Sequence, residues 1–157
     1  MEFLVGADPE LFVQNPNSKA FISAHDMVPG TKYEPFKVPF GAIQVDGMAL
    51  EFNIDPARTA SEFTHAIAEV QKALRHYVPA GYNMVAEPAA VFDADYFASV
   101  PETAKELGCE PDFNAYTGLA NPRPDASTCM RTASGHVHIG WTTGADIRSE
   151  EHPAELS

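Results

Sequence analysis

The sequence predicts an α+β fold: a mostly antiparallel β-sheet with one long helix, residues 60–78, across one face. Three observations carry this. Apolar and polar residues alternate in 2–14, 41–54 and 133–143, the period of a strand with one buried face. Phe63, Ile67, Val70, Leu74 and Tyr77 recur at helical spacing, with Ala66 and Ala73 on the same side. Short turn signals and Pro-rich stretches separate these segments, as in sheets built from hairpins rather than βαβ units.

Taken in order, Phe3, Val5, Leu11 and Val13 make residues 2–14 one strand. Asn15-Pro16-Asn17-Ser18 turns the chain, and Ala20-Phe21-Ile22 returns as a second strand. Residues 25–39 read as loop. Residues 41–54 hold two strands around the hairpin dipeptide Asp46-Gly47. In the second of these, Leu50, Phe52 and Ile54 point one way while Ala49, Glu51 and Asn53 point the other. Thr59 and Glu62 form a capping-box start for the long helix, and Pro79 and Gly81 end it. Residues 82–92 give a strand interrupted at Pro88, 93–107 one or two short helices, and 108–130 mostly loop. The last strand, 133–143, sets Val137, Ile139 and Trp141 on one side and His136 and His138 on the other. Residues 1–143 therefore form one domain, followed by a polar tail, 144–157.

Composition narrows the function. The chain has 157 residues, 45% apolar and 20% charged, the make-up of a globular domain. A formal charge of −12 repels a phosphate backbone, which argues against nucleic-acid binding. No apolar run approaches the ~18 residues of a membrane span, and the start has neither a basic region nor a long apolar core. Cys109 and Cys129 make neither a disulfide framework nor a CxxC zinc pattern, so they read as reduced thiols of a cytoplasmic protein.

Three strand segments carry polar pairs at i, i+2: Asp8 and Glu10, Glu51 and Asn53, His136 and His138. Period two projects each pair from one face, with apolar neighbours facing away. Each pair alone reads equally well as a wet strand face. Together they place three carboxylates and two imidazoles on one side of a sheet, an arrangement that repels itself unless cations sit there. Carboxylate oxygens with an occasional imidazole suit Mg²⁺ or Mn²⁺. The predicted metal set is Asp8, Glu10, Glu51 and His136, on the face away from the helix.

Gly6-Ala7-Asp8-Pro9-Glu10-Leu11-Phe12, Asp46-Gly47-Met48-Ala49-Leu50-Glu51-Phe52-Asn53 and Ser134-Gly135-His136-Val137-His138-Ile139-Gly140 resemble the metal-binding strands of glutamine-synthetase-like carboxylate–amine ligases. The match is closest to the phage-encoded phiEco32-like COOH–NH2 ligases, which also have a segment similar to 108–116. The resemblance covers residues 4–141. It implies the catalytic half of that fold, with ATP and Mg²⁺ as cofactors. It also implies amide-bond formation between a carboxylate and an amine through an acyl phosphate, in the host cytoplasm for a phage protein. Carried over by position, Glu10 and Glu51 hold one cation, and Asp8 and His136 hold a second. His138 reaches an ATP phosphate or the second cation. Glu10, Glu51 and His136 are then the catalytic group, with His138, Asn53 and Arg131 on the cofactor.

The sequence departs from this pattern after the histidine strand. Relatives continue there with phosphate-binding arginines and a further acidic ligand, whereas this chain runs 17 residues past Gly140 with Arg148, Glu150, Glu151 and Glu155. The expectation is a second polypeptide or self-association at this C-terminal edge, around Trp141. Arg131 competes between a phosphate contact and a structural ion pair, and Lys32 and Lys37 between a nucleotide-covering loop and a solvated one. Two rival functions stay open. One is a non-catalytic interaction domain derived from such a ligase; the other is a metal-dependent hydrolase using the same face.

Overall fold

In the computed structural model, residues 2–106, 113–122 and 127–142 are described. The tail 144–157 and Cys109 lie outside them. The elements in order are β1 (Glu2–Ala7), β2 (Glu10–Gln14), β3 (Phe21–Ile22), β4 (Phe36–Val38), β5 (Gly41–Asp46), β6 (Ala49–Ile54), α1 (Ala60–Arg75), β7 (Asn83–Val85), β8 (Ala89–Val91), α2 (Ala94–Ser99), α3 (Glu102–Lys105), β9 (Met130–Thr132) and β10 (Val137–Thr142). The class is α+β, with antiparallel strands and few helices.

The segment read as one strand, 2–14, is the spine of a curled sheet, and it breaks at Asp8-Pro9 into β1 and β2. Proline has no amide to donate and forces a local change of course. β1 pairs with β10 from Glu2↔Thr142 to Ala7↔Val137. β2 belongs to a six-stranded sheet of order β3-β2-β6-β5-β4, with β7 also on β2. Both β3 and β7 pair with Val13 and Gln14, so they take opposite edges of β2. Between the two halves, the amides of Asp8 and Glu10 donate to the carbonyls of His136 and Ser134 at 3.2 and 2.8 Å. The carbonyl of Pro9 turns the other way and accepts from the amide of Phe52.

Alternation along this spine feeds two cores. Ala7, Leu11 and Val13 face α1 together with Ile43, Leu50, Phe52 and Ile54, against Ala66, Val70 and Leu74 of the helix. Phe12 and Ala49 face the opposite way, into a second core with Met48, Ala90, Phe92, Phe97, Val100 and Ala104. There Phe12, Phe21 and Phe92 meet with ring centroids 5.8 to 6.1 Å apart, a spacing at which aromatic edges and faces attract. Fully burying each such side chain contributes about 1.5–3 kcal/mol. The face away from α1 is thus covered at one end by the second core and carries its polar residues on the remainder.

Helix α1 starts as its capping box requires: Thr59 Oγ1 accepts from the amide of Glu62 at 3.1 Å. Glu62 answers to the amide of Arg58 rather than of Thr59. The helix ends at Arg75, three residues before the expected 78, and hydrogen-bonded turns carry the chain on to Val78.

Several expectations need correction. The loop 25–39 contains β4, which hydrogen-bonds to β5 at the sheet edge. The 82–92 segment forms two strands in different sheets, because Pro88 denies the ladder an amide. The last strand begins at Val137 rather than 133, and 130–132 pairs separately with β8. The apolar side of β10 is not packed on the helix: Val137, Ile139 and Trp141 are 64, 62 and 54% exposed, beside Phe3 of β1. The cause is position. Helix α1 lies over β5 and β6, away from β10.

The two glycines flanking the histidine pair make a test of the spine. A Cβ on Gly135 would lie 2.9 Å from the Pro9 Cα, whereas one on Gly140 meets nothing within 4 Å. Gly135→Ala should therefore destabilise the chain by about 1–3 kcal/mol in urea unfolding, and Gly140→Ala should stay within about 0.5 kcal/mol. Equal effects would contradict the close approach of segment 134–136 to Pro9.

Candidate functional site

Register builds the site. Glu10 of β2 stands opposite Glu51 of β6, and Glu51 opposite Gln44 of β5. Asp46 lies two residues beyond Gln44, on the same face of β5. Carboxylate oxygens of Glu10, Asp46 and Glu51 all fall within 4.8 Å of one another. Gln44 is buried, and its Nε2 donates to Glu51 Oε2 at 2.7 Å. Among the described residues no donor reaches its Oε1. The ammonium of Lys32, on the Pro-rich loop, lies 3.3 Å from Asp46 Oδ2.

A second group adjoins the first along the spine. Asp8 Oδ1 accepts the backbone amide of His136 at 2.7 Å, and Asp8 Oδ2 lies 3.2 Å from His138 Nε2. His136 Nδ1 is 3.4 Å from Asp8 Oδ1, and the two imidazole rings are 6.2 Å apart and mostly exposed. Glu10 Oε2 accepts the amide of Ser134 at 2.7 Å. Asp8 and Glu10 thus each commit one oxygen to the backbone of the histidine segment.

The four expected ligands fall into two groups, one on the six-stranded sheet and one where the β1–β10 ribbon meets it. Glu10 and Glu51 meet with Asp46 in an all-oxygen cluster. Asp8 joins His136 and His138 in a mixed oxygen–nitrogen cluster. Asn53 is on the same face of β6 as Glu51, opposite Ala42, and half-buried.

Of the two readings of Arg131, the structure places it in a structural setting. It is 5% exposed, its guanidinium donates to the carbonyls of Thr128, Met130 and Lys105 at 2.7–2.8 Å, and it stacks 4.7 Å from the Phe97 ring centroid. Burial lowers its pKa from the ordinary value. These partners hold it inside the second core.

Asp46 and Gln44 were not among the expected site residues. In the sequence Asp46 reads as half of a hairpin dipeptide, and a neutral glutamine does not announce itself. Their signal was register. Pairing Asp46 with Ala49 across Gly47-Met48 places Gln44 opposite Glu51, and Gly47 adopts the positive φ of 57° that such a turn needs.

Glu51 carries the electrostatic consequence. Its pKa is pushed up to about 7, first by burial and then by the charges of Asp46, Glu10 and Asp8, against the lowering effect of the Gln44 hydrogen bond. One oxygen from each of the three carboxylates could reach a single ion, although exposed acidic groups also gather without one. Comparison of the chain with protein-family models, with curated proteins and with solved structures found no match.

The raised pKa sets a pH dependence. Between pH 4.5, the ordinary value, and about 7 the unfolded chain releases a proton from Glu51 that the folded chain retains. Folding loses stability through this group as pH rises across that window, and the loss is complete above it. In metal-free buffer, Glu51→Gln should flatten the fall in urea midpoint between pH 5 and pH 7.5. An identical slope in parent and variant would contradict the assignment.

Proposed function

We propose that the chain is an ATP- and Mg²⁺-dependent carboxylate–amine ligase, or the metal-binding half of one, acting in the cytoplasm. The observation that carries this reading is the juxtaposition of Glu10 and Glu51 across β2 and β6, with Asp8, His136 and His138 grouped beside Pro9 where the β1–β10 ribbon meets β2. The resemblance of the three strands to carboxylate–amine ligases supplies the reaction class and the glutamine-synthetase-like description of the fold. Bound Mg²⁺ would neutralise phosphate charge and align the transferred group. Glu10 and Glu51 would hold one such ion. Asp8 with His136 would hold another, and His138, 60% exposed at the rim, would meet the nucleotide phosphates. Among the described residues no helix is long and apolar enough to cross a membrane.

A second reading, an interaction domain with a ligase-like fold, is favoured by one observation. Phe3, Val137, Ile139 and Trp141 form an exposed apolar strip, and among the described residues β10 pairs with β1 alone. Uncovered strips and open strand edges of this kind attract partners.

Nucleotide binding tests the ligase reading whether the chain is a whole enzyme or half of one. ATP retention by the purified chain should require Mg²⁺ and should fall by about tenfold or more in Glu51→Gln and Asp8→Asn. ADP release that needs both a carboxylate and an amine would mark the whole enzyme. Absence of any Mg²⁺-dependent ATP retention would contradict the proposal, and metal-dependent hydrolysis without nucleotide would replace it with the hydrolase.

A further inference from the structure

The β1–β10 ribbon has two unlike faces. Cross-strand register sets Phe3 beside Trp141, Val5 beside Ile139 and Ala7 beside Val137 on one face, with Gly6 beside His138 on the other. The first face carries no charged side chain, and Phe3, Val137, Ile139 and Trp141 are each more than half exposed on it. Its inner margin is a step. Val5 bridges to Ala57 just before α1, and a hollow of about 270 Å³, lined by Val5, Ala57, Arg58, Thr59, Ala60 and Phe63, marks where the helix rises from the sheet. At its outer margin, the far edge of β10 has no strand partner among the described residues. The edge strand at the end of the six-stranded sheet is built differently. β4 has three residues, carries Lys37 and lies between Pro35 and Pro39, features that discourage pairing. β10 has six residues and neither a proline nor a lysine.

We propose that this ledge is a dimer interface, covered in solution by the same ledge of a second copy of the chain. A helix is ~10–12 Å across, and sheets packed face to face lie ~10 Å apart. The step at α1 is therefore as high as one packed layer. A two-fold axis along the ribbon seats ledge on ledge, with the two copies of α1 on opposite sides of the joint, in a self-complementary contact. The area is sufficient. Fully buried aromatic side chains cover roughly 150–250 Å² each, so the exposed parts of Phe3, Val137, Ile139 and Trp141 amount to roughly 400–500 Å² per copy. Two copies, with the residues of the hollow, reach the roughly 1,000–1,200 Å² at which weak but specific interfaces begin. Charge selects the partner. Each chain carries a formal charge of −12, and two such chains meet closely only through a surface free of charge, which this face is. A basic partner would be drawn instead to the carboxylates of the opposite face. The joint leaves His138 uncovered, since it projects from that opposite face. The inference rests on the reading of this strip as an interface and names its partner.

The test uses the 157-residue chain and its single tryptophan, Trp141, which lies in the ledge. Sedimentation velocity and Trp141 emission are followed together from about 1 to 300 µM, the range in which an interface of this size associates. Mass should rise from one chain toward two, and emission should shift to shorter wavelength in step with it. Ile139→Lys, at an exposed position, should weaken association by about tenfold or more. Val91→Lys, on the exposed side of β8, should leave it unchanged. Should Ile139→Lys fail to fold, Phe3→Ser carries the test with the same expected loss. Added NaCl should strengthen the dimer, because it screens the repulsion between two acidic chains. The proposal is overturned by parent-like association in Ile139→Lys and Phe3→Ser, or by a dimer that salt dissociates. A dimer that leaves Trp141 emission unchanged would overturn it equally, by marking edge-to-edge pairing of β10. A chain that stays monomeric with Trp141 in water overturns the choice of partner alone. A monomer whose Trp141 is already shielded contradicts the interface reading as well. Mg²⁺-dependent ATP retention is untouched by any of these outcomes and tests the ligase reading separately.

Discussion

Two carboxylates hold the acidic spine to the histidine segment. The amides of Asp8 and Glu10 donate to the carbonyls of His136 and Ser134, and the carboxylates of the same two residues accept the amides of His136 and Ser134. In an ordinary antiparallel ladder the returning acceptor would be a backbone carbonyl. Here side chains take that role, at the point where Pro9 interrupts the strand. Charged acceptors make stronger bonds than neutral ones. Gly135 permits the approach, since a side chain there would strike the Pro9 backbone.

The rest of the site follows from that junction. Fixing Glu10 against Ser134 sets the position of β2, and β6 then places Glu51 opposite Glu10. Three acidic residues gather where burial and mutual repulsion already raise one pKa to about 7. Folding therefore brings like charges together on this face, a perturbation found at functional sites and in structural charge networks alike. The second core matters for the same reason. Phe12 and Ala49 continue the polar rows of β2 and β6, so packing around them anchors the strands that carry Glu10 and Glu51.

How much of this was legible in the sequence depended on whether local pattern or pairing decided it. The 3.6-residue periodicity and capping box gave α1 almost to its last turn, and alternation gave the opposite faces of β6. The i, i+2 pairs singled out Asp8, Glu10, Glu51, His136 and His138, but not their division into two groups, which cross-strand register and the break at Pro9 decide. Gln44 and Asp46 were hidden because register across the Gly47-Met48 turn is not visible in composition. Arg131 had two readings in the sequence, because a basic residue near a histidine strand fits a phosphate as well as a structural partner. Its guanidinium donates to carbonyls brought in by α3 and the 127–130 segment. The exposed side of β10 had the alternation of a buried strand, and alternation cannot report that the covering helix lies over other strands.

Asp8 and Glu10 are structural acceptors that hold the histidine segment to the spine. Amide hydrogen exchange of Ser134 and His136, followed by NMR, measures this directly. Both amides should be protected in the parent. Glu10→Ala should release Ser134 first, and Asp8→Ala should release His136 first, while amides in α1 keep their protection. Fast exchange of both amides in the parent, or unchanged protection in both variants, would contradict the account.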